Sequence, residues 1–108
     1  MRHVDARPVT EAVFLILASL ADQPRHGYAL LQDIEILSGG RVRLSTGTLY
    51  GALRRMLEEE WIAPFAQSDT SRDKQAYRLT PGGRRMLRAE LDRMKQLTRA
   101  ATARLKEA

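Results

Sequence analysis

The chain has no cysteine, which excludes a disulfide scaffold, a thiolate zinc site and a cysteine nucleophile. His3 and His26 are its only histidines, too few for a multi-histidine metal centre. No apolar stretch has the length of a membrane span. The longest, residues 12–20 interrupted only by Ser19, is about half of what a bilayer needs. Ahead of it, Arg2 and Asp5 do not form the basic n-region and small-residue cleavage site of a secretory leader. A small soluble cytoplasmic protein is therefore expected, with no membrane partner. No nucleophile–base pair, carboxylate pair or metal constellation is visible, so neither an enzyme nor a bound cofactor is expected. Asparagine is missing as well.

What is present suits one small domain. A length of 108 residues buries roughly two-thirds of the chain's surface on folding, enough for one thin core. Hydrophobic residues at 44% and charged residues at 29% give a globular balance. The net charge of +5 points to an anionic partner, but it is unevenly placed. Residues 1–80 hold ten basic and ten acidic side chains and sum to zero. Residues 81–108 hold Arg84, Arg85, Arg88, Arg93, Lys95, Arg99, Arg104 and Lys106 against Glu90, Asp92 and Glu107, which accounts for the whole excess. Global charge says little about nucleic acid on its own.

Thr10 is a candidate cap for a first helix over residues 12–21, with Val13, Phe14, Leu15, Ile16, Leu17 and Leu20 on nearly every side. A helix apolar all round must be covered all round. In so small a domain this predicts that it is sandwiched between its own core and a second subunit, the alternative being a central helix of a monomer. A second helix follows over residues 26–37, amphipathic through Leu30, Leu31, Ile34 and Leu37, and Ser38-Gly39-Gly40 ends it. Residues 41–44 read as a short strand or an extended link. The third helix starts at Ser45 and buries Leu49, Leu53 and Met56. Gly47, Thr48, Gly51, Arg54, Arg55 and Glu58 lie on its opposite arc.

Residues 61–67 read as a strand that Pro64 marks as an edge, and residues 75–79 as the returning strand of a hairpin with a charged tip. Thr80-Pro81 then opens a last helix. Along it Leu87, Leu91, Met94, Thr98, Ala101 and Leu105 are spaced 4, 3, 4, 3, 4, a seam of the coiled-coil kind. The expected fold is mostly α with a small β-hairpin: a winged helix-turn-helix over residues 1–80 and a dimerisation helix over residues 81–108.

Four blocks carry a more specific signal. His26-Gly27-Tyr28, the run Leu44-Ser45-Thr46-Gly47-Thr48-Leu49-Tyr50-Gly51-Ala52-Leu53, Leu57-Glu58-Glu59-Glu60, and Tyr77-Arg78-Leu79-Thr80-Pro81-Gly82-Gly83 stand in this order. Together they resemble the PadR family of bacterial transcriptional regulators over roughly residues 10–90. The short tail resembles the subgroup with a single C-terminal helix. The resemblance implies a homodimeric DNA-binding regulator. Two positions depart from the pattern: Trp61 stands where a glycine commonly follows the acidic run, and Gly51 where proline often follows the tyrosine.

The third helix has its own physical reading. A helix that enters the major groove needs a face free of acids and able to approach closely. From Arg41 to Leu57 there is no acid, while Arg41, Arg43, Arg54 and Arg55 are positive. Gly47 and Gly51 each cost a helix interior roughly 1 kcal/mol relative to alanine, which a bare surface near phosphates or base edges would justify. The candidate DNA contacts are Tyr28, Ser45, Thr46, Gly47, Thr48, Tyr50, Arg54, Arg55, and Arg72 and Lys74 in the hairpin tip. Without asparagine, and with no glutamine on this helix, bidentate adenine readout is lost. Arginine to guanine and threonine methyl to thymine remain.

The dimerisation candidates are Phe14, Leu17, Leu87, Leu91, Met94 and Leu105. The leading reading is a homodimeric repressor on an inverted-repeat operator in double-stranded DNA, with a small-molecule effector possible at a pocket built from Phe14 and Trp61. The rival is a winged-helix protein-interaction module presenting Glu58, Glu59, Glu60 and Ile36. The basic last helix is either a dimer helix with a solvated arginine face or a source of extra phosphate contacts. Trp61 itself is expected to be partly buried at the wing base.

Overall fold

A computed structural model describes residues 9–65 and 75–107. Among the described residues seven elements follow in chain order: α1 (Glu11–Ser19), β1 (Arg25–His26), α2 (Gly27–Leu37), α3 (Thr46–Glu58), β2 (Ile62–Phe65), β3 (Ala76–Leu79) and α4 (Pro81–Glu107). The chain is mostly helical with a small antiparallel sheet, as expected.

Thr10 starts α1 with its hydroxyl accepting from the Val13 amide at 3.2 Å, and Glu11 in the first turn suits the helix dipole. Val13, Leu15, Ile16, Leu17 and Leu20 are all buried within one chain, because α1 packs against α2, α3 and α4. Its own chain thus supplies much of the cover that the sequence reading assigned to a second subunit. Three helices of its own chain cover most of it, and Ala12, Phe14 and Ala18 stay half-exposed among its apolar residues. A polar network locks its far end. Buried Ser19 donates to Asp33 Oδ2 at 2.6 Å, and Arg25 Nε donates to the Ser19 carbonyl at 2.8 Å.

β1 has no counterpart in the sequence reading. It pairs with β3, Arg25 opposite Tyr77 and His26 opposite Ala76, so the sheet has the order β1-β3-β2. Its existence depends on a partner far along the chain, which local periodicity does not reveal. β2 lies at the edge, with Pro64 opposite Tyr77, in keeping with a proline that has no amide to donate.

Two helix exits share one geometry and differ in residue. At the end of α2 the Gly39 amide donates to the Ile36 carbonyl and the Gly40 amide to that of Glu35, with Gly39 at φ 65°. At the end of α3 the Glu60 amide donates to Leu57 and the Trp61 amide to Met56. Both are Schellman exits, which call for a left-handed residue. The second places Glu60 there, at φ 61°. The glycine lacking at position 61 is thus no obstacle, since the positive φ falls one residue earlier.

Thr80 joins α3 to α4. Its hydroxyl accepts from the Gly83 amide at 3.0 Å and donates to the Glu60 carbonyl at 2.6 Å, while its own amide donates to the Trp61 carbonyl at 3.0 Å. Gly83, Leu87 and Glu90 are the buried positions of α4. From Lys95 to Glu107 every residue is exposed.

Candidate nucleic-acid interface

Ser45 sits in extended conformation at the start of α3. Its hydroxyl accepts from the Thr48 amide at 3.1 Å and donates to Thr48 Oγ1 at 3.0 Å. Both hydroxyls therefore spend part of their bonding capacity on holding the helix start. Leu49, Leu53 and Met56 turn into the core. Thr46, Gly47, Thr48, Tyr50, Gly51 and Arg54 are exposed on the outer side. A β-carbon at Gly51 would meet nothing within 4 Å, and one at Gly47 only Ser45 Oγ at 3.9 Å. The bare stripe is thus not required by internal packing.

The two arginines of α3 separate. Arg54 is exposed and half-buried Arg55 lies over the Trp61 ring, 5.5 Å from its centroid, within range of a cation–π attraction. The extended link before α3 adds Arg41 and Arg43, both exposed, the latter 3.3 Å from Glu35. The first acid on α3 is Glu58, at its far end. The outer face of α3 is therefore open and acid-free up to Leu57, with Arg41 and Arg43 ahead of the helix and Arg54 in its C-terminal half.

At the start of α2, His26 acts as the cap, its Nδ1 accepting from the Ala29 amide at 3.4 Å. Tyr28 projects outward with 66% of its surface exposed. The Tyr50 hydroxyl rests over Gly27: a β-carbon there would overlap it and lie 3.1 Å from the adjoining ring carbon. This seam between α2 and α3 was not read from sequence, although His26-Gly27-Tyr28 carries it. Tyr77 is buried under the sheet, and burial, with Tyr50 nearby, raises its phenol above the ordinary value. The hairpin tip with Arg72 and Lys74 lies outside the described residues.

Two cavities flank the core. One, of about 930 Å³, runs along Trp61, Pro64, Arg78, Arg85 and Met86 between β2 and the start of α4. The other, of about 520 Å³, is lined by Phe14, Leu37, Val42, Glu90, Arg93 and Met94. Phe14 and Trp61 therefore face different cavities, and the single pocket expected from them is not formed. α1 holds Phe14 beside α4, while the exit of α3 carries Trp61 to the wing base, where it is half-buried. In the smaller cavity, Glu90 is 5% exposed and receives Arg93 Nε at 2.8 Å and Nη2 at 3.0 Å. The Arg93 hydrogen bond is the main cause that holds its carboxyl below the usual range, and the Val9 amide adds to it.

The dimerisation candidates also divide. Leu17 is 0% exposed and Leu87 is buried against the same core, so one chain already covers them, a correction to their expected place in an interface. Phe14 and Met94 are half-buried, while Leu91 and Leu105 are exposed. Leu97, 54% exposed, joins them. It falls outside the 4-3-4-3 spacing and was missed for that reason. Among the described residues there is no cluster of potential metal ligands, and no helix is long and apolar enough to cross a membrane.

Residues 16–89 match the family model described as Transcriptional regulator PadR-like family. An uncharacterized 37.1 kDa protein in transposon TN4556 of Streptomyces fradiae is 40% identical over 88 residues, or 82% of this chain. The chain spans only 24% of that protein's length. Among solved structures, a PadR family transcription regulator from Clostridium difficile R20291 is similar at TM-score 0.75 and 21% identity, covering 89% of this chain and 99% of that one. Bacillus subtilis PadR in complex with operator DNA is similar at TM-score 0.67 and 22% identity, covering 79% of this chain and 48% of that one.

Proposed function

Since the chain belongs to the transcriptional regulator PadR-like family, whose members are regulators and not enzymes, we propose that it binds double-stranded DNA as a homodimer and represses transcription at an inverted-repeat operator. The observation that carries this reading is the outer face of α3, capped by Ser45, acid-free up to Leu57 and exposed through Thr46, Gly47, Thr48, Gly51 and Arg54. In the major groove, Arg54 meets a guanine edge and Thr46 and Thr48 offer methyl groups to thymine. Tyr28 and Tyr50 at the start of α2 and on α3 serve phosphates, which fix orientation without reading sequence. Arg55 steadies Trp61 and contributes charge from the rim, and Arg72 and Lys74 supply the wing's phosphate contacts.

Residues 1–80 form the DNA-binding part in this reading and residues 81–108 the dimerisation helix. Support for a second copy comes from α4, which is exposed from Lys95 to Glu107 and leaves Leu91, Leu97 and Leu105 open among the described residues. An isolated helical segment of this length is marginal in water. A small-molecule effector would act at one of the two cavities, both of ligand size. The likeness in fold to Bacillus subtilis PadR, whose structure is in complex with operator DNA, supports the DNA reading.

Selection of bound sequences from a random duplex pool tests the proposal. An enriched two-fold symmetric site containing guanine is expected. Arg54→Ala should then lose one to two decades of affinity for that site, the worth of a base contact of about 1–3 kcal/mol, and much less for random duplex. No enrichment, or equal losses on both duplexes, would sink the reading.

A further inference from the structure

α4 carries the chain's entire charge excess and sorts it onto one side. At 3.6 residues per turn, Arg84, Arg85, Arg88, Lys95, Arg99 and Lys106 fall within about 100° of arc. All are exposed, and Asp92 is the one acid among them. The stripe extends about 33 Å at 1.5 Å per residue. Gly83, Leu87 and Glu90 are buried on the opposite flank, so one side of the helix is committed to packing and the other is left to charge. α1 lies against both α3 and α4, and each of these turns its polar side away from the common core. The exposed face of α3 and this stripe thus lie on two different helices, each facing out from the core.

We propose that the outer face of α4 is a second nucleic-acid surface, which binds the phosphodiester backbone of a DNA segment other than the one held by α3. The stripe's length is close to one turn of duplex, about 34–36 Å. Its cations recur one helical turn apart, Arg84 with Arg88 and Lys95 with Arg99, and so form a line of positive charge along the helix. A lipid surface fits less well. α4 has no aromatic anchor, and its cations stand opposite the packing face where an interfacial helix would bury leucines. Contacts of this kind carry no sequence information, so the second segment is held without regard to its sequence. A molecule with both surfaces bridges two segments. The bridging rests on the operator reading of α3; the stripe's affinity for duplex does not.

The full chain is compared with Arg88→Gln/Lys95→Gln/Arg99→Gln/Lys106→Gln, with the single Arg99→Gln, and with a charge-keeping Arg88→Lys/Arg99→Lys variant. Binding to random duplex is measured against salt, and protein held on an immobilised selected duplex is offered a second, labelled random duplex. The fourfold variant should lower the log–log salt slope by about three to four units and Arg99→Gln by about one. The fourfold variant should also lose capture of the second duplex while keeping the selected site. The lysine variant should behave as the parent. An unchanged slope and undiminished capture in the fourfold variant would overturn the proposal. Loss of capture in the lysine variant, or stripe-dependent binding to phosphatidylserine vesicles without duplex capture, would overturn it too. Failure of the α3 reading shows separately, as the absence of any selected sequence.

Discussion

Gly83 and the Trp61 carbonyl approach so closely that a β-carbon at position 83 would overlap the oxygen and fall 2.9 Å from its carbon. Both partners are backbone, so neither can rotate away, and the first turn of α4 docks on the α3 exit only because position 83 is bare. Gly83→Ala should destabilise the fold by about 1–3 kcal/mol, the usual cost of overpacking, despite alanine's better helix propensity. A denaturant midpoint equal to or above that of the parent would refute the docking argument.

Glu60 offers the opposite case. Its left-handed backbone costs an L residue roughly 1–2 kcal/mol, and its carboxylate faces the negative end of α3. Glu60→Gly relieves both and gives back part through the unfolded chain's greater freedom. A net gain of about 0.5–1 kcal/mol is expected, seen as a higher melting temperature at equal protein concentration.

Gly51→Ala separates stability from recognition. With open space around position 51, alanine should stabilise α3 by roughly 1 kcal/mol and yet weaken operator binding by keeping the helix from its closest approach. Measured together by thermal melts and titration with the selected duplex, the two changes should have opposite signs. A stabilised variant with undiminished affinity would show that the bare stripe serves something else.

Glu90 sets a pH dependence. Its carboxyl is held below the ordinary value in the folded state, so the unfolded chain takes up the proton first as pH falls. The stabilisation is therefore fully present above the ordinary carboxylate range, about pH 4–5, and is lost as pH drops through the lowered value. Urea midpoints measured from about pH 7 down to about pH 3 should fall for the parent, and the acid limb should be shallower in Glu90→Gln.

Leu97 and Leu105 test the second copy. The pair Leu97→Lys and Leu105→Lys should turn a micromolar dimer into a monomer by sedimentation and reduce helix content, since none of the described residues covers 95–107. Leu17→Ala should instead destabilise each chain by about 2–5 kcal/mol, as a core cavity does.

Much of this was legible beforehand because the signals are local. Thr10 and Ser45 cap where hydroxyls before apolar repeats are expected, the stripe of Leu49, Leu53 and Met56 lies in the core, and Pro64 sits in an edge strand. What escaped depends on distant partners or on residues with no conformational signature. β1 forms only because β3 returns beside it. Glu60 takes a glycine's place with nothing in its chemistry to announce it. Glu90 looks like an ordinary surface acid until Arg93 and the Val9 amide are placed around it. Leu17 and Leu97 exchanged roles for a geometric reason: α1 is wrapped by three helices, while α4 outruns the domain it leaves.

The two outer strands of the sheet also shape how copies of this protein behave when crowded. β1 is two residues long, and β2 carries Pro64 in its middle, so neither presents the long run of free amides and carbonyls that templates another strand. Edge-to-edge strand addition, a common route from a small β-element to fibrils, is blunted on both sides. Association between copies is thereby channelled to helix surfaces, which limits the damage when the regulator accumulates or partly unfolds.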